Sequence, residues 1–133
     1  MTDLPAVATL RHDLVRHLRH HAAGSSNVAE WWPNEAYVQR YAPGSLGVSP
    51  HVDSSRFAHL VAIFTTKGSA RFAVCRDRSG DTVAEWEAGP GSLLLLRGSA
   101  PGQPGDRPFH EVRGPSSRPR FSVTLRMNTE LSM

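Results

Sequence analysis

The chain has 133 residues, 39% of them hydrophobic and 20% charged, a composition typical of one globular domain. Its formal net charge is +3, from 15 basic and 12 acidic side chains. So small a surplus does not by itself indicate a nucleic-acid partner.

Three further features narrow the class of protein. No run approaches the roughly 18 consecutive apolar residues of a transmembrane helix, so we expect no membrane association. The first residues lack the basic and apolar regions of a secretory signal. Cys75 is the only cysteine, which excludes an internal disulfide, and a lone thiol suits a reducing compartment. We therefore expect a cytoplasmic protein in which residues 1–133 form a single domain.

Residues 6–22 have the periodicity of an amphipathic helix. Its apolar stripe consists of Val7, Leu10, Leu14 and Leu18. Three histidines, His17, His20 and His21, share another face near the end of this helix. Such a group can bind a transition metal, but a solvated helix face is the more usual outcome, and we interpret it so.

After this helix the sequence contains eight short strand candidates, separated by glycine, proline and polar turns. They span residues 36–41, 47–51, 58–66, 70–76, 81–86, 92–97, 109–113 and 120–127. The Gly/Pro-rich stretch 98–108 is expected to be a loop. Eight strands at this spacing indicate a sandwich, a barrel or a jelly roll. We predict a mainly β fold, a double-stranded β-helix (jelly roll) over 36–127, with the N-terminal helix packed outside.

Three residues on these strands form a candidate metal centre. His51 and Asp53 share a face, because residues i and i+2 of a strand point the same way. His110 lies on the seventh strand candidate. Two imidazoles and one carboxylate can occupy one face of an octahedral metal and leave three positions open. This is the arrangement of the non-haem Fe(II) oxygenases.

The first and last strand candidates each have a polar face. Tyr37, Gln39 and Tyr41 share a face of the first strand. The polar face of the last strand consists of Arg120, Ser122, Thr124 and Arg126. In an isolated strand this face would ordinarily meet water. Arg120 follows His110 by ten residues, and a guanidinium there offers a planar fork for a carboxylate.

Two segments resemble the Fe(II)/2-oxoglutarate-dependent dioxygenases and, within them, the AlkB-like branch. Residues 120–126, RFSVTLR, are similar to the R-x-N-x-T-F-R signature of that branch. Residues 39–44, QRYAPG, followed by the H-x-D at 51–53, are similar to its N-x-Y-x-P-G…H-x-D segment. The resemblance covers about residues 36–128, which is most of the chain.

The resemblance implies a set of roles for the residues already described. Iron would be held by His51, Asp53 and His110. Arg120 would pair with the distal carboxylate of 2-oxoglutarate, and Arg126 would lie near the end that chelates iron. Further contacts to 2-oxoglutarate would come from Tyr41, Gln39, Ser122 and Thr124. The implied activity uses O2 to convert 2-oxoglutarate to succinate and CO2 while it hydroxylates or oxidatively demethylates a substrate. The polar face of the last strand would then point into the barrel.

Two departures from the branch bear on the substrate. Ser55 stands where the nucleic-acid repair members usually carry an acidic residue. Only 35 residues precede Ala36, and they leave little room for the usual nucleotide-recognition lid. We therefore favour a small-molecule or protein substrate, with AlkB-type repair of nucleic acid as the alternative. The candidate substrate contacts are Ser55, Arg56, Tyr37 and Trp32.

Two other possibilities stay open at this point. One is a cupin-like module that uses the same fold to bind a metal and a ligand without turnover. The other concerns assembly, because so short a barrel can cover its open mouth by forming a homodimer.

Overall fold

The computed structural model describes residues 4–22, 24–100, 107–115 and 117–131. Within these ranges the chain forms two helices, α1 (Pro5–His21) and α2 (Ser26–Glu30), and eight strands. The strands are β1 (Glu35–Tyr41), β2 (Val48–His51), β3 (Phe57–Lys67), β4 (Ala70–Cys75), β5 (Thr82–Ala88), β6 (Leu93–Arg97), β7 (Phe109–Val112) and β8 (Arg120–Asn128). Every predicted strand is present within two residues of its expected bounds. Of the expected loop at 98–108, residues 101–106 lie outside the described residues.

The strands form two four-stranded sheets. Sheet A has the order β1-β8-β3-β6, and sheet B has the order β2-β7-β4-β5. Neighbouring strands within each sheet are antiparallel. Two such sheets packed face to face form a jelly roll, so the predicted fold class is confirmed.

Helix α1 covers the outer face of sheet A, as expected. Its Leu14 and Val15 pack with Trp31 and with Leu125 of β8, which is fully buried. Leu125 points toward the helix, and side chains alternate along a strand. The polar residues of β8 therefore point the other way, into the space between the sheets.

A second core fills the space between the two sheets. It includes Val61 of β3, Phe72 of β4 and Leu96 of β6, each no more than 6% exposed. Strand β3 contributes to both cores, because Val61 points inward while Ala62 packs under the helix. Burial on both faces explains the unbroken apolar run in its sequence.

A glycine holds the β3–β4 turn against the beginning of β8. Gly68 has a φ of +71°, and a Cβ at this position would lie 2.2 Å from the carbonyl oxygen of Pro119. Only glycine permits this approach without strain. The contact places Arg120, the next residue, beside the end of β3.

Helix α2 was not predicted from the sequence. It has five residues, and Ser25 caps it by accepting a hydrogen bond from the backbone N–H of Val28. No helix in the described part of the chain is long and apolar enough to cross a lipid bilayer.

Candidate metal centre

The three predicted metal ligands meet between β2 and β7. These strands are antiparallel neighbours in sheet B, and His51 lies directly opposite His110. Asp53 follows the end of β2 by two residues. The ligand atoms of the three side chains all lie within 4.8 Å of one another, and the two imidazole centroids are 4.3 Å apart. Among the described residues, this is the only such group of three or more metal-ligating side chains.

Backbone carbonyl groups fix the orientation of both imidazoles. Nδ1 of His51 is 2.9 Å from the carbonyl oxygen of Ser49, and Nδ1 of His110 is 3.0 Å from that of Pro108. A carbonyl oxygen can only accept, so each Nδ1 is assigned the proton and donates. In the metal-free protein the Nε2 atoms face Asp53 Oδ1 at 3.3 and 3.4 Å, so that a protonated imidazole can donate to the carboxylate. When these Nε2 protons are lost, three electron-pair donors are directed at one point, an arrangement that can hold a metal ion.

The charge state of Asp53 also suits a metal ligand. Burial alone would raise the pKa of its carboxyl group. Hydrogen bonds with His110 and His51, together with their charges, outweigh burial and hold this pKa well below its usual range. In turn, the hydrogen bond with Asp53 raises the pKa of His51, against the opposing effect of burial. Asp53 is therefore anionic near neutral pH, the form that binds metal.

A cavity of about 370 Å³ lies beside these three residues, between the two sheets. Its volume is at the lower end of the range for ligand pockets, and it suits a small molecule. Five of the predicted co-substrate and substrate residues line it: Tyr37, Gln39, Tyr41, Thr124 and Arg126. Phe72 completes one wall and stacks on the ring of His110, with centroids 5.6 Å apart.

Arg120 is a buried cation that does not itself line this cavity, and its guanidinium carbon lies 5.6 Å from the ring centroid of Tyr41, which does. Its side chain is 1% exposed, and Nη2 donates a hydrogen bond to Thr65 Oγ1 at 2.9 Å. Its Nε is also buried and has no hydrogen-bond partner. Burial lowers the pKa of Arg120, and Tyr41 opposes this effect, while no described carboxylate contributes. A buried charge without a counterion is costly, so this environment fits a ligand that carries an anion.

Arg126 has a different environment, although it lies on the same face of β8. Its Nε donates to Glu35 Oε2 at 2.9 Å. Its guanidinium carbon lies 5.0 Å from the ring centroid of Tyr37 and 4.1 Å from that of Phe57. The charge of Arg126 is therefore compensated by Glu35, and Arg126, unlike Arg120, does not need an anionic ligand as a counterion. Ser122 is buried and does not line the cavity.

Of the four candidate substrate residues, the structure brings only Tyr37 to the cavity. Ser55 and Arg56 form an exposed turn, where Arg56 makes a 3.6 Å ion pair with Glu130. Trp32 lies on the outer side of sheet A, with the guanidinium of Arg11 4.3 Å from its ring centroid. Trp32 packs there because the core between helix and sheet needs an apolar cover.

Thr65 is a site residue that the sequence analysis did not identify. It is 2% exposed and holds the guanidinium of Arg120. A signal was available, because Thr65 has the same parity in β3 as the inward-pointing Val61 and Ile63. A threonine continuing an inward apolar face indicates a buried polar contact.

Comparisons with known proteins identify the fold. No protein-family model matches the chain, and no curated protein matches it. A structure of oxalate oxidase matches with a TM-score of 0.50 and 17% identity, over 77% of this chain and 48% of that chain. A cupin protein from Bacteroides fragilis has a TM-score of 0.47 and 13% identity, over 74% of this chain and 68% of that one. The chain thus spans about half the length of the oxalate oxidase.

The fold is a jelly roll. At 17% identity, the likeness to oxalate oxidase shows the fold alone. Together with the three ligands, it supports a jelly-roll protein with a candidate His-Asp-His metal site. These likenesses do not support the AlkB-like branch.

Proposed function

We propose that the protein is an Fe(II)- and 2-oxoglutarate-dependent dioxygenase that hydroxylates or oxidatively demethylates an organic substrate. The observation that carries the proposal is the environment of Arg120. A jelly-roll protein that binds only a metal has no need for a buried guanidinium without a counterion behind Tyr41, a residue that lines the same cavity as the metal ligands. A dicarboxylate co-substrate would supply the missing anion.

The ligands have separate roles in this proposal. Nε2 of His51, Nε2 of His110 and the carboxylate of Asp53 would hold Fe(II) and leave three positions open. When bound, iron and 2-oxoglutarate supply the oxidising chemistry: the two atoms of O2 go to succinate and to the hydroxylated substrate, and CO2 is released. The rest of the catalytic task falls to the protein, which must orient the co-substrate and exclude water.

The residues around the cavity are suited to that task. Arg120, held by Thr65, would bind the distal carboxylate of 2-oxoglutarate. Burial raises the pKa of Tyr41, against the effect of Arg120, so its phenol stays protonated and can donate a hydrogen bond. Val61 and Phe72 form apolar walls that exclude water from the reacting groups.

We favour a small molecule or a protein side chain as the substrate. Both α1 and α2 lie among the residues before β1, and α1 packs on the outer face of sheet A. The described residues before β1 therefore include no lid over the metal cavity, whose lining contains none of them. Tyr37, 45% exposed, is the predicted substrate contact that this cavity offers. Repair of alkylated nucleic acid is the alternative, and turnover of methylated single-stranded oligonucleotides would favour it.

The second candidate function is a metal-dependent cupin that works without 2-oxoglutarate. The likeness in fold to oxalate oxidase favours it only by analogy, since one fold hosts many reactions. A module that binds metal and ligand without turnover is a third possibility. All three share the His-Asp-His centre, and only the first requires Arg120 to bind a co-substrate.

One experiment separates these functions. The protein, loaded with Zn(II) in place of iron, is titrated with 2-oxoglutarate by calorimetry, with glutarate as the control that lacks the keto group. The Fe(II) protein is then assayed with ascorbate for succinate formation. We expect metal-dependent binding of 2-oxoglutarate and slow uncoupled formation of succinate. The proposal is refuted if the protein, with metal present in the site, neither binds 2-oxoglutarate nor forms succinate. Binding without succinate formation favours the module that binds without turnover.

A further inference from the structure

The exposed face of α1 carries a pair of histidines one helical turn apart, with a third histidine close by, although the three do not form a compact ligand group like that of His51, Asp53 and His110. His17 and His21 are one helical turn apart, and their ring centroids are separated by 4.4 Å. His20 is close to the same pair, with its ring centroid 4.8 Å from that of His21. All three side chains are exposed, so a metal can reach them without any rearrangement of the core.

The spacing of His17 and His21 suits a single metal ion. Residues i and i+4 lie on the same face of a helix, and two imidazoles placed there can bind one metal together. Imidazole is a good ligand for Cu(II), Ni(II) and Zn(II), and by the general order of affinities it binds Fe(II) more weakly. Water would complete the coordination at an exposed site.

The charges around this pair have opposing effects on a bound cation. Asp13 and Arg16 line the same open cavity, of about 610 Å³, as His17, His20 and His21. Asp13 attracts a cation, and Arg16 repels one. His21 is also the last residue of α1, where the free carbonyl groups of the helix end favour positive charge.

From this arrangement we propose a second, transition-metal site on α1, formed by His17 and His21, that takes Cu(II), Ni(II) or Zn(II). It is separate from the centre at His51, Asp53 and His110. That centre lies between the sheets, whereas α1 packs on the outer face of sheet A. The proposal does not depend on the activity of the protein.

The test is a calorimetric titration of the full chain with Ni(II) at pH 7.5. We expect two classes of site in the wild-type protein. His21→Ala should weaken one class at least about tenfold and leave the other unchanged. His51→Ala should have the reverse effect. Ni(II) bound to both His17 and His21 would join two successive turns of α1 and stabilise the helix. It should therefore raise the melting temperature of the His51→Ala variant. It should not raise that of the double variant in which His17→Ala is added to His51→Ala.

Two further variants test the geometry and the charge of the site. His12→Ala is the matched control, because His12 is an exposed histidine of the same helix outside the cavity. Arg16→Ala should tighten binding roughly two- to fivefold, as expected for removal of an exposed like charge. The proposal is overturned if His17→Ala and His21→Ala bind Ni(II) as the wild type does. It is also overturned if His12→Ala loses as much affinity as His21→Ala, since affinity would then follow the number of histidines and not their spacing.

Discussion

Replacement of Arg120 by methionine should affect binding and stability in different ways. Methionine is long and apolar, so it fills much of the same space and removes the buried charge. In a buried ion pair, loss of one partner leaves the other unpaired at a cost of about 3–5 kcal/mol. Arg120 has no such partner among the described residues, so this penalty does not arise. Loss of its hydrogen bond to Thr65 destabilises the folded protein by about 1–3 kcal/mol. Removal of the uncompensated buried charge stabilises the folded protein and offsets this loss. We expect the free energy of unfolding to stay within about 1 kcal/mol of the wild type or to rise.

Binding of 2-oxoglutarate should fall sharply in the same variant. Removal of one member of a buried, hydrogen-bonded charge pair costs about 2–5 kcal/mol of binding free energy. This corresponds to a dissociation constant that is higher by a factor of roughly 30 to 5,000. Calorimetry on the Zn(II)-loaded protein measures the affinity, and urea unfolding of the metal-free protein measures the stability.

The matched control is Arg97→Met, which replaces an exposed arginine of β6. It should change neither quantity. The reasoning is refuted if Arg120→Met unfolds more easily by more than about 2 kcal/mol and still binds 2-oxoglutarate with wild-type affinity. Arg120 would then be a structural residue whose charge is compensated in another way.

Three other substitutions test the fold and the electrostatics of the site. Leu125→Ala should lower the free energy of unfolding by about 2–5 kcal/mol in urea, because Leu125 is fully buried under α1. Gly68→Ala should lower the melting temperature more than Gly91→Ala. Both glycines have positive φ, but a Cβ at Gly68 would meet a backbone oxygen at 2.2 Å, whereas at Gly91 nothing lies within 4 Å. With chelator present, the hydrogen bond to Asp53 raises the pKa of His51 above its reference value of 6.5, so its contribution is complete below that pH and is lost as the pH rises. The melting temperature of the metal-free protein should therefore fall as the pH rises above about 6.5, and this fall should be smaller in His51→Gln.

The positions of the strands could be predicted because most strands are short runs of β-forming residues separated by glycine, proline and polar turns, whether they alternate in polarity, as β8 does, or are continuously apolar, as β6 is. The inward direction of the polar face of β8 was implied by the resemblance to the dioxygenases, whereas the alternation of an isolated strand would ordinarily turn this face to water. The meeting of His51 and His110 was expected from the proposed metal centre, and the structure shows that their strands, β2 and β7, are neighbours. These features depend on local pattern and on one choice of topology.

Other features depend on contacts that no local pattern specifies. The pairing of Arg126 with Glu35 requires the register of β1 against β8, which joins residues 91 positions apart. Trp32 is of a residue type that can stack on a substrate, which made it a candidate contact. The packing of α1 determines which side of sheet A it occupies, and the local sequence does not show this. Helix α2 has five residues, too few for a helical period to be visible.

The strand order of sheet A also constrains how the protein folds. Within this sheet β8 lies between β1 and β3, although in the sequence it is the last of the described strands. Neither β1 nor the β3–β6 pair can complete this sheet until residues 120–128 have been synthesised, whereas β2, β7, β4 and β5 of sheet B all lie within residues 48–112. Such long-range pairing is slow, typically milliseconds to seconds. His51 and His110 of sheet B can therefore come together before the strand with Arg120 is available to complete sheet A.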